Sequence, residues 1–284
     1  MTVLEAVAPA KLTLALRVLG RRDDGFHEVD GLVVTVDEPH DVLRIRSGGS
    51  GVRLRVRGRA STGVPAGDDN LVARAAYLLE PIVPGASDVE VVLDKGIPAG
   101  AGLGGGSSDA AAFLRAMTAG AGVGIGTVLD VAARLGSDVP VCLHGGSARM
   151  RGRGDVVEPV AIAALRVLIV VPPFTLSTPA VYRAWDDLGG PASPRAVPAP
   201  VAVHHVCSEL VNDLEPAAEH VEPRLTRFRD ALEGAAGLPA LLAGSGSAYA
   251  VVCGPGDGWR DVAHDVEDAL GVTVHAGLTM TPSA

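Results

Sequence analysis

Residues 98–112 read PAGAGLGGGSSDAAA. Five glycines fall between positions 100 and 106, just ahead of Ser107, Ser108, Asp109 and a run of alanines that opens a helical pattern. Glycine reaches backbone conformations closed to other residues and lets N–H groups come close to a ligand. Gly100, Gly102 and Gly105 satisfy G-x-G-x-x-G, the spacing of dinucleotide-binding turns. That motif normally opens the first βαβ unit, with an acid at a strand end about 20 residues later. Here at least three strand patterns come first, and the acid at that distance, Asp130, lies inside a helical pattern. The phosphate loop G-x-x-x-x-G-K-[ST] is absent as well, because no lysine follows the glycines. Two readings remain. One is an anion cradle at a helix N-terminus, where backbone donors and the helix dipole favour phosphate. The other is a flexible loop with an ordinary serine cap.

Upstream of this loop, VLEAVAPAKLTLALRVLG alternates apolar and polar positions and reads as a strand. GLVVTV from Gly31 and then VLRIRSGGSGVRLRVRGR read as further strands, the last two joined by a glycine turn. NLVARAAYLLEPI is helical, capped by Asp69 or Asn70 and followed by Pro81, and SDVEVVLDKGIP returns to strand. Downstream, helices are expected from Ser107 and over GTVLDVAARLG, with a short one in SDVPVCLHGG stopped by Gly145-Gly146. ARMRGRGDVVEPV reads as strand with Arg149, Arg151 and Arg153 on one solvated face, and LRVLIVVPP as another strand. From about residue 156 the pattern changes. It runs through the helix STPAVYRAWDDL, an exposed loop over 189–200, helices between about 205 and 234, LPALLAGSGSAYAVVCG as strand–loop–strand, the helix DVAHDVEDAL and the strand VTVHAGL. Strands with helices on one side imply an α+β fold in each of two domains, 1–155 and 156–284. A chain of 284 residues suits two cores better than one.

Composition excludes several classes. The net charge of −9 and an aromatic content of 3% argue against a nucleic-acid binder. No apolar run reaches the roughly 18 residues that span a bilayer, and the N-terminus lacks the basic region of a secretory signal. Cys142, Cys207 and Cys253 are odd in number and show no metal-ligand spacing, which fits a reduced, cytoplasmic protein. The histidines form no ligand cluster, and His204-His205 sits in a proline-rich polar stretch. Of 24 cationic residues only Lys11 and Lys95 are lysines, and both flank segments that look chemical on other grounds.

Lys11 stands mid-strand among apolar neighbours, where an ammonium is costly to bury without a carboxylate beside it. Asp138, after Gly136-Ser137 and ahead of Pro140, reads by position as a helix cap. Ser107 and Ser108 can cap the helix or bind a metal carried by phosphates. Asp109 favours the helix start and must point away from phosphate or toward a cation.

The glycine loop, APAKLTLALRVLGRRDDGFHEVD at 8–30, DNLVARAA at 69–76, GSDVPVCLHGG at 136–146, NDLE at 212–215 and AGSGSA at 243–248 together resemble the GHMP kinases over nearly the whole chain. The closest resemblance is to the branch acting in the non-mevalonate isoprenoid route. It implies a two-domain GHMP kinase fold, with an N-terminal domain like the second domain of ribosomal protein S5 and a ferredoxin-like C-terminal domain. It further implies ATP and Mg²⁺ as cofactors, and phosphorylation of the 2-hydroxyl of a cytidine diphosphate-linked methylerythritol. On the matching positions, Asp138 is the base and Lys11 its partner. Asn70 and Lys95 lie near the adenine, and Gly100, Gly102, Leu103, Gly104, Gly105, Gly106, Ser107 and Ser108 wrap the phosphates, Ser108 also being the candidate metal ligand. Phe26 and His27 recognise cytidine, while Thr13, Thr178, Gly244, Ser245 and Asp138 contact the acceptor. Two positions depart from the pattern: Thr13 replaces the usual asparagine and Phe26 the usual tyrosine. The implied partner is a small molecule, with neither nucleic acid nor membrane, and the implied state a monomer or weak homodimer. Rival expectations are another small-molecule GHMP kinase, acting on mevalonate or homoserine, and a non-catalytic metabolite sensor. The retained Lys11 and Asp138 disfavour the sensor, since binding alone requires no base.

Overall fold

Leu12, Leu14 and Leu16 are buried, and so are Lys11, Thr13 and Ala15 between them, so the strand is covered on both faces where the alternating pattern implies only one. The computed structural model describes residues 3–190, 210–254, 256 and 258–281. Apart from Gly189 and Gly190, the loop expected over 189–200 lies outside the described residues, as do His204, His205, Cys207 and the beginning of the helices expected from 205. The chain divides into two compact units that alternate along the sequence. The first comprises Met1–Lys11, Pro39–Ala99 and Gly104–His144, the second Leu12–Glu38, Gly100–Leu103 and Gly145–Ala284. Strands β1 (Val3–Arg21) and β2 (His27–Ser47) each contribute residues to both.

In the first unit, β4 (Val89–Asp94) pairs antiparallel with residues 42–47 of β2 and parallel with β3 (Arg53–Arg57). Helices α1 (Leu71–Leu79), α2 (Gly105–Thr118), α3 (Ile125–Leu135) and α4 (Val139–His144) pack on one another. Asn70 caps α1, its Oδ1 accepting the Val72 N–H at 2.9 Å, while its amide donates to the Pro65 carbonyl. Helix α2 is buried without a break from Ser108 to Leu114, and the alanines at 110–112 let its neighbours approach closely. Cys142, on α4, is fully inside, and burial pushes its thiol up to about 12.

In the second unit, residues 29–34 of β2 pair with β5 (Ser147–Gly152), which forms a hairpin with β6 (Val156–Pro159). A separate antiparallel sheet has the order β11–β7–β10–β9, from β7 (Arg166–Val170), β9 (Ala240–Leu242), β10 (Tyr249–Cys253) and β11 (Val274–Leu278). Fourth, first, third, second is the order of ferredoxin-like sheets. Helices α5 (Thr178–Asp187), α6 (Glu215–Val221), α7 (Arg224–Ala236) and α8 (Trp259–Leu270) complete the unit. The short strand β8 (Val211–Asn212) runs parallel to Ala15–Leu16 of β1.

Three local expectations are corrected. The separate strands expected from Gly31 and from Val42 are one strand, β2, because the chain stays extended through Pro39 while it changes partners. Helix α2 starts at Gly105 rather than Ser107: Gly104 takes the left-handed conformation (φ 65°), and its carbonyl accepts the Ser108 N–H at 2.8 Å. The serines therefore lie inside the helix and do not cap it. The arginine face of β5 is not simply solvated, since Arg149 grips the buried Asp30 carboxylate through two bonds of 2.7 and 2.6 Å. Arg151 pairs with Glu158, and Arg153 with Asp155.

The first unit's core supplies a measurable contrast. Phe113 is fully buried on α2, whereas Leu129 on α3 is 37% exposed. Phe113→Ala should lower the unfolding free energy by about 3–5 kcal/mol, and Leu129→Ala by no more than about 1 kcal/mol. Urea denaturation followed by circular dichroism reads both, and equal losses would contradict this packing.

Candidate functional site

Four clusters hold most of the residues singled out by the sequence, two in each unit. In the first unit, Lys11 is buried in β1 and its ammonium lies 3.2 Å from Asp138 Oδ2. Asp138 directly precedes α4, and its carbonyl accepts the Cys142 N–H at 3.1 Å. The position thus starts a helix with its backbone while its side chain, one-third exposed, is held on the lysine. Beside this pair lies the N-terminus of α2. A Cβ at Gly104 would stand 2.5 Å from Lys11 Cγ, so only glycine fits between lysine stem and helix start. The first intrahelical bond is that of Ser108, which leaves the N–H groups of Gly105, Gly106 and Ser107 without helical acceptors. A backbone anion site, an ammonium and a carboxylate are therefore adjacent.

Beneath the first turn of α2 is an ion cluster. Lys95 is buried, and its ammonium donates both to Asp41 and, at 2.7 Å, to Asp109 Oδ2. Asp109 thus points toward a cation, one of the two conditions its position allows. Burial raises its carboxyl well above the usual range, against the pull of Lys95 and with a further push from Asp41. Lys95 does not offer a free ammonium to a ligand here. Asn70 spends its side chain on capping α1 and on Pro65. Ser108 is buried, and its hydroxyl donates to the Pro9 carbonyl at 2.6 Å. That hydroxyl is committed to the interior, which disfavours it as a metal ligand. Leu103 is also buried, leaving only its backbone for a ligand.

In the second unit, residues 100–103 pack on the segment 243–248. Ala101 O accepts the Ala248 N–H at 3.1 Å, and a side chain at Gly102 (φ 80°) would run into the carbonyls of Ala243 and Gly246. The turn itself is held by Asn212, whose amide donates to Leu242 O at 2.8 Å and Gly244 O at 2.6 Å. Thr178 Oγ1 and Ser245 Oγ lie 2.7 Å apart, so two sequence-predicted acceptor contacts are brought together.

The remaining cluster surrounds His27. Its Nε2 is 2.7 Å from Asp186 Oδ1, and its ring lies 4.7 Å from that of Tyr182 and 5.5 Å from that of Trp185. A carboxylate only accepts, so the hydrogen of this bond sits on Nε2. Phe26 is 49% exposed, with the Arg153 guanidinium over its ring. Arg22 shapes the preceding turn, its N–H donating to Phe26 O at 2.8 Å and its side chain binding Asp24 and Glu28. Thr13 is buried within β1.

Sequence reading missed Asp41, Asp186 and Tyr182. Tyr182 and Asp186 are four apart on α5 and so share a face, a detectable signal once His27 is suspected. Asp41 carries no such signal, because its partners are distant in sequence.

The profile of the GHMP kinases N terminal domain matches residues 70–146, which include α1, the glycine loop and α4. The 4-diphosphocytidyl-2-C-methyl-D-erythritol kinase of Pelotomaculum thermopropionicum is 40% identical over 254 residues, covering 86% of this chain and 87% of that protein. The one from Corynebacterium efficiens is 36% identical and covers 98% of this chain and 94% of its own. A crystal structure of 4-(cytidine 5'-diphospho)-2C-methyl-D-erythritol kinase, 33% identical, superposes with a TM-score of 0.81 over 98% of this chain and 100% of that one. Similarity at this level, across nearly all of each sequence and its fold, places the chain in the 4-diphosphocytidyl-2-C-methyl-D-erythritol kinase family of the GHMP kinases.

Proposed function

We propose that this chain is an ATP-dependent kinase that phosphorylates the 2-hydroxyl of 4-diphosphocytidyl-2-C-methyl-D-erythritol, giving the 2-phosphate and ADP in the non-mevalonate route to isoprenoid precursors. Its relatives' names support the substrate. The observation that carries the chemistry is the Lys11–Asp138 pair set against the N-terminus of α2. Phosphoryl transfer needs phosphates held in place, charge stabilised and the accepting hydroxyl oriented or deprotonated. The N–H groups at Gly105–Ser107 supply donors to the phosphates. Asp138 takes the proton of the 2-hydroxyl as its oxygen bonds to the γ-phosphorus and the bond to the β–γ bridging oxygen breaks, releasing ADP. Lys11 holds the Asp138 side chain in place from 3.2 Å and puts positive charge beside the transferring group.

Mg²⁺ is read as entering with the nucleotide, as part of MgATP. Among the described residues no group of three or more His, Cys, Asp or Glu suits a metal, and the Ser108 hydroxyl is turned onto Pro9. No step is assigned to a resident ion. Residues 1–155 are assigned to ATP binding and 156–284 to the C-terminal GHMP domain. Gly100–Ser108, with Asn70 near the adenine, take the nucleotide. Phe26 and His27 take the cytosine, with Thr13, Thr178, Gly244 and Ser245 about the acceptor. Lys95 acts on this site indirectly, from its ion cluster. The setting is a cytoplasmic monomer or weak homodimer without nucleic-acid partners, in line with the net charge of −9. No described helix is long and apolar enough to cross a membrane.

Two experiments test this reading. ADP release with MgATP should be rapid with the cytidylylated acceptor and negligible with mevalonate or homoserine; the reverse preference would refute the assignment. Asp138→Asn should lower kcat by about 10²–10⁴-fold, the usual contribution of a general base, with the KM for ATP within about threefold of the parent. Full activity in that variant would reduce Asp138 to a helix-starting residue.

A further inference from the structure

We infer that Asp41 is a positioning residue for the nucleotide, fixing both ends of the glycine loop to one buried ion cluster. The inference rests on the reading that this loop holds the ATP phosphates. Asp41 is completely buried near the middle of β2. Its Oδ1 accepts the N–H of Gly96 at 2.6 Å and of Ile97 at 2.8 Å, the two residues that lead from β4 into the loop. Its Oδ2 accepts from the Lys95 ammonium. The same ammonium donates to Asp109 on the second turn of α2, where the loop has ended. It also sits 3.3 Å from where a Cβ of Gly105 would be, directly under the helix tip. One carboxylate–ammonium–carboxylate chain therefore ties residues 96–97 to residues 105–109.

Stability alone does not account for this arrangement. Two buried carboxyl groups face one ammonium, and among the described residues Asp109 Oδ1 has no hydrogen-bond partner. Buried ion pairs at best roughly offset their own desolvation and are often outperformed by apolar packing. What the chain of charges does supply is fixed geometry. A segment built from glycines resists distortion poorly, yet a phosphate site needs its donors held to within about 0.5 Å. Anchoring the two ends is the available way to set the N–H groups of Gly105, Gly106 and Ser107. Asp41 touches no substrate in this scheme. It acts through Lys95 and through the backbone of Gly96 and Ile97.

The test is Asp41→Asn in the full chain. The new side chain's oxygen can still accept from Gly96 and Ile97, but its amide cannot accept from Lys95, so one link is cut and the other kept. Steady-state kinetics should show the KM for ATP raised about tenfold or more, with kcat at saturating ATP lowered less than about threefold and the acceptor KM unchanged. A purely structural role would reduce the active fraction, lowering apparent kcat while leaving the KM for ATP where it was; that outcome overturns the inference. Should Asp41→Asn fail to fold, Asp109→Ala removes the other link, since Asp109 reaches Lys95 through its side chain alone, and leaves the Lys95–Asp41 pair in place; the same kinetic split decides. A parent protein that turns over no ATP would instead refute the kinase reading. An active parent with an unchanged KM in the folded variant refutes only the positioning role.

Discussion

A buried ammonium must have a carboxylate, and at Lys11 this requirement organises the site. Asp138 answers it, so the start of α4 is tied to the middle of β1. The lysine stem in turn occupies the volume that any side chain at position 104 would need. Gly104 is therefore glycine for two reasons, its left-handed backbone and the lysine packed against it. The helix that begins there directs its free N–H groups toward the same place as the ammonium. Lysine, acid and glycine, far apart in sequence, satisfy one physical condition.

That condition also explains how an acidic chain can handle a polyphosphate. Long-range attraction is not available to a protein with a net charge of −9. Lys95 is turned onto Asp41 and Asp109, and Arg149, Arg151 and Arg153 are each matched with an acid. Near the glycine loop, the described residues offer positive potential from the helix terminus, worth about half a unit charge, and from Lys11, which shares its charge with Asp138. Such a site depends on geometry more than on charge count, and so places heavy demands on the loop's backbone.

How much of this was legible depended on the range of the interactions involved. The strand pattern around Lys11, the loop and the stop at Gly145-Gly146 are local, and they read correctly. The cost of leaving a buried ammonium alone asks for some carboxylate beside Lys11; that it is Asp138 follows only from the resemblance to the family, since by position Asp138 reads as a helix cap. The helix start was misplaced because hydrophobic periodicity begins only at Ala110, while the first turn is made of glycines that carry no pattern. β2 reads as two strands because residues 37–41, DEPHD, carry no apolar alternation, whereas in the structure the strand continues through them and changes partners. Asp41 was invisible: it lies in a run of acids and turn formers, and Lys95 is 54 positions away.

The two long strands carry a cost during biosynthesis. Each begins or ends in one compact unit and finishes in the other, so the units cannot be made one after the other. The ribosome completes the last segment of the first unit at His144, while Leu12–Glu38, with the apolar runs around Leu14 and Val33, still lacks the partners encoded from Gly145 onward. At elongation rates of about 5–20 residues per second that exposure lasts on the order of 10 s. A nascent chain in this state is a natural client for chaperones that shield apolar segments, and no single cut in the sequence would release either unit whole.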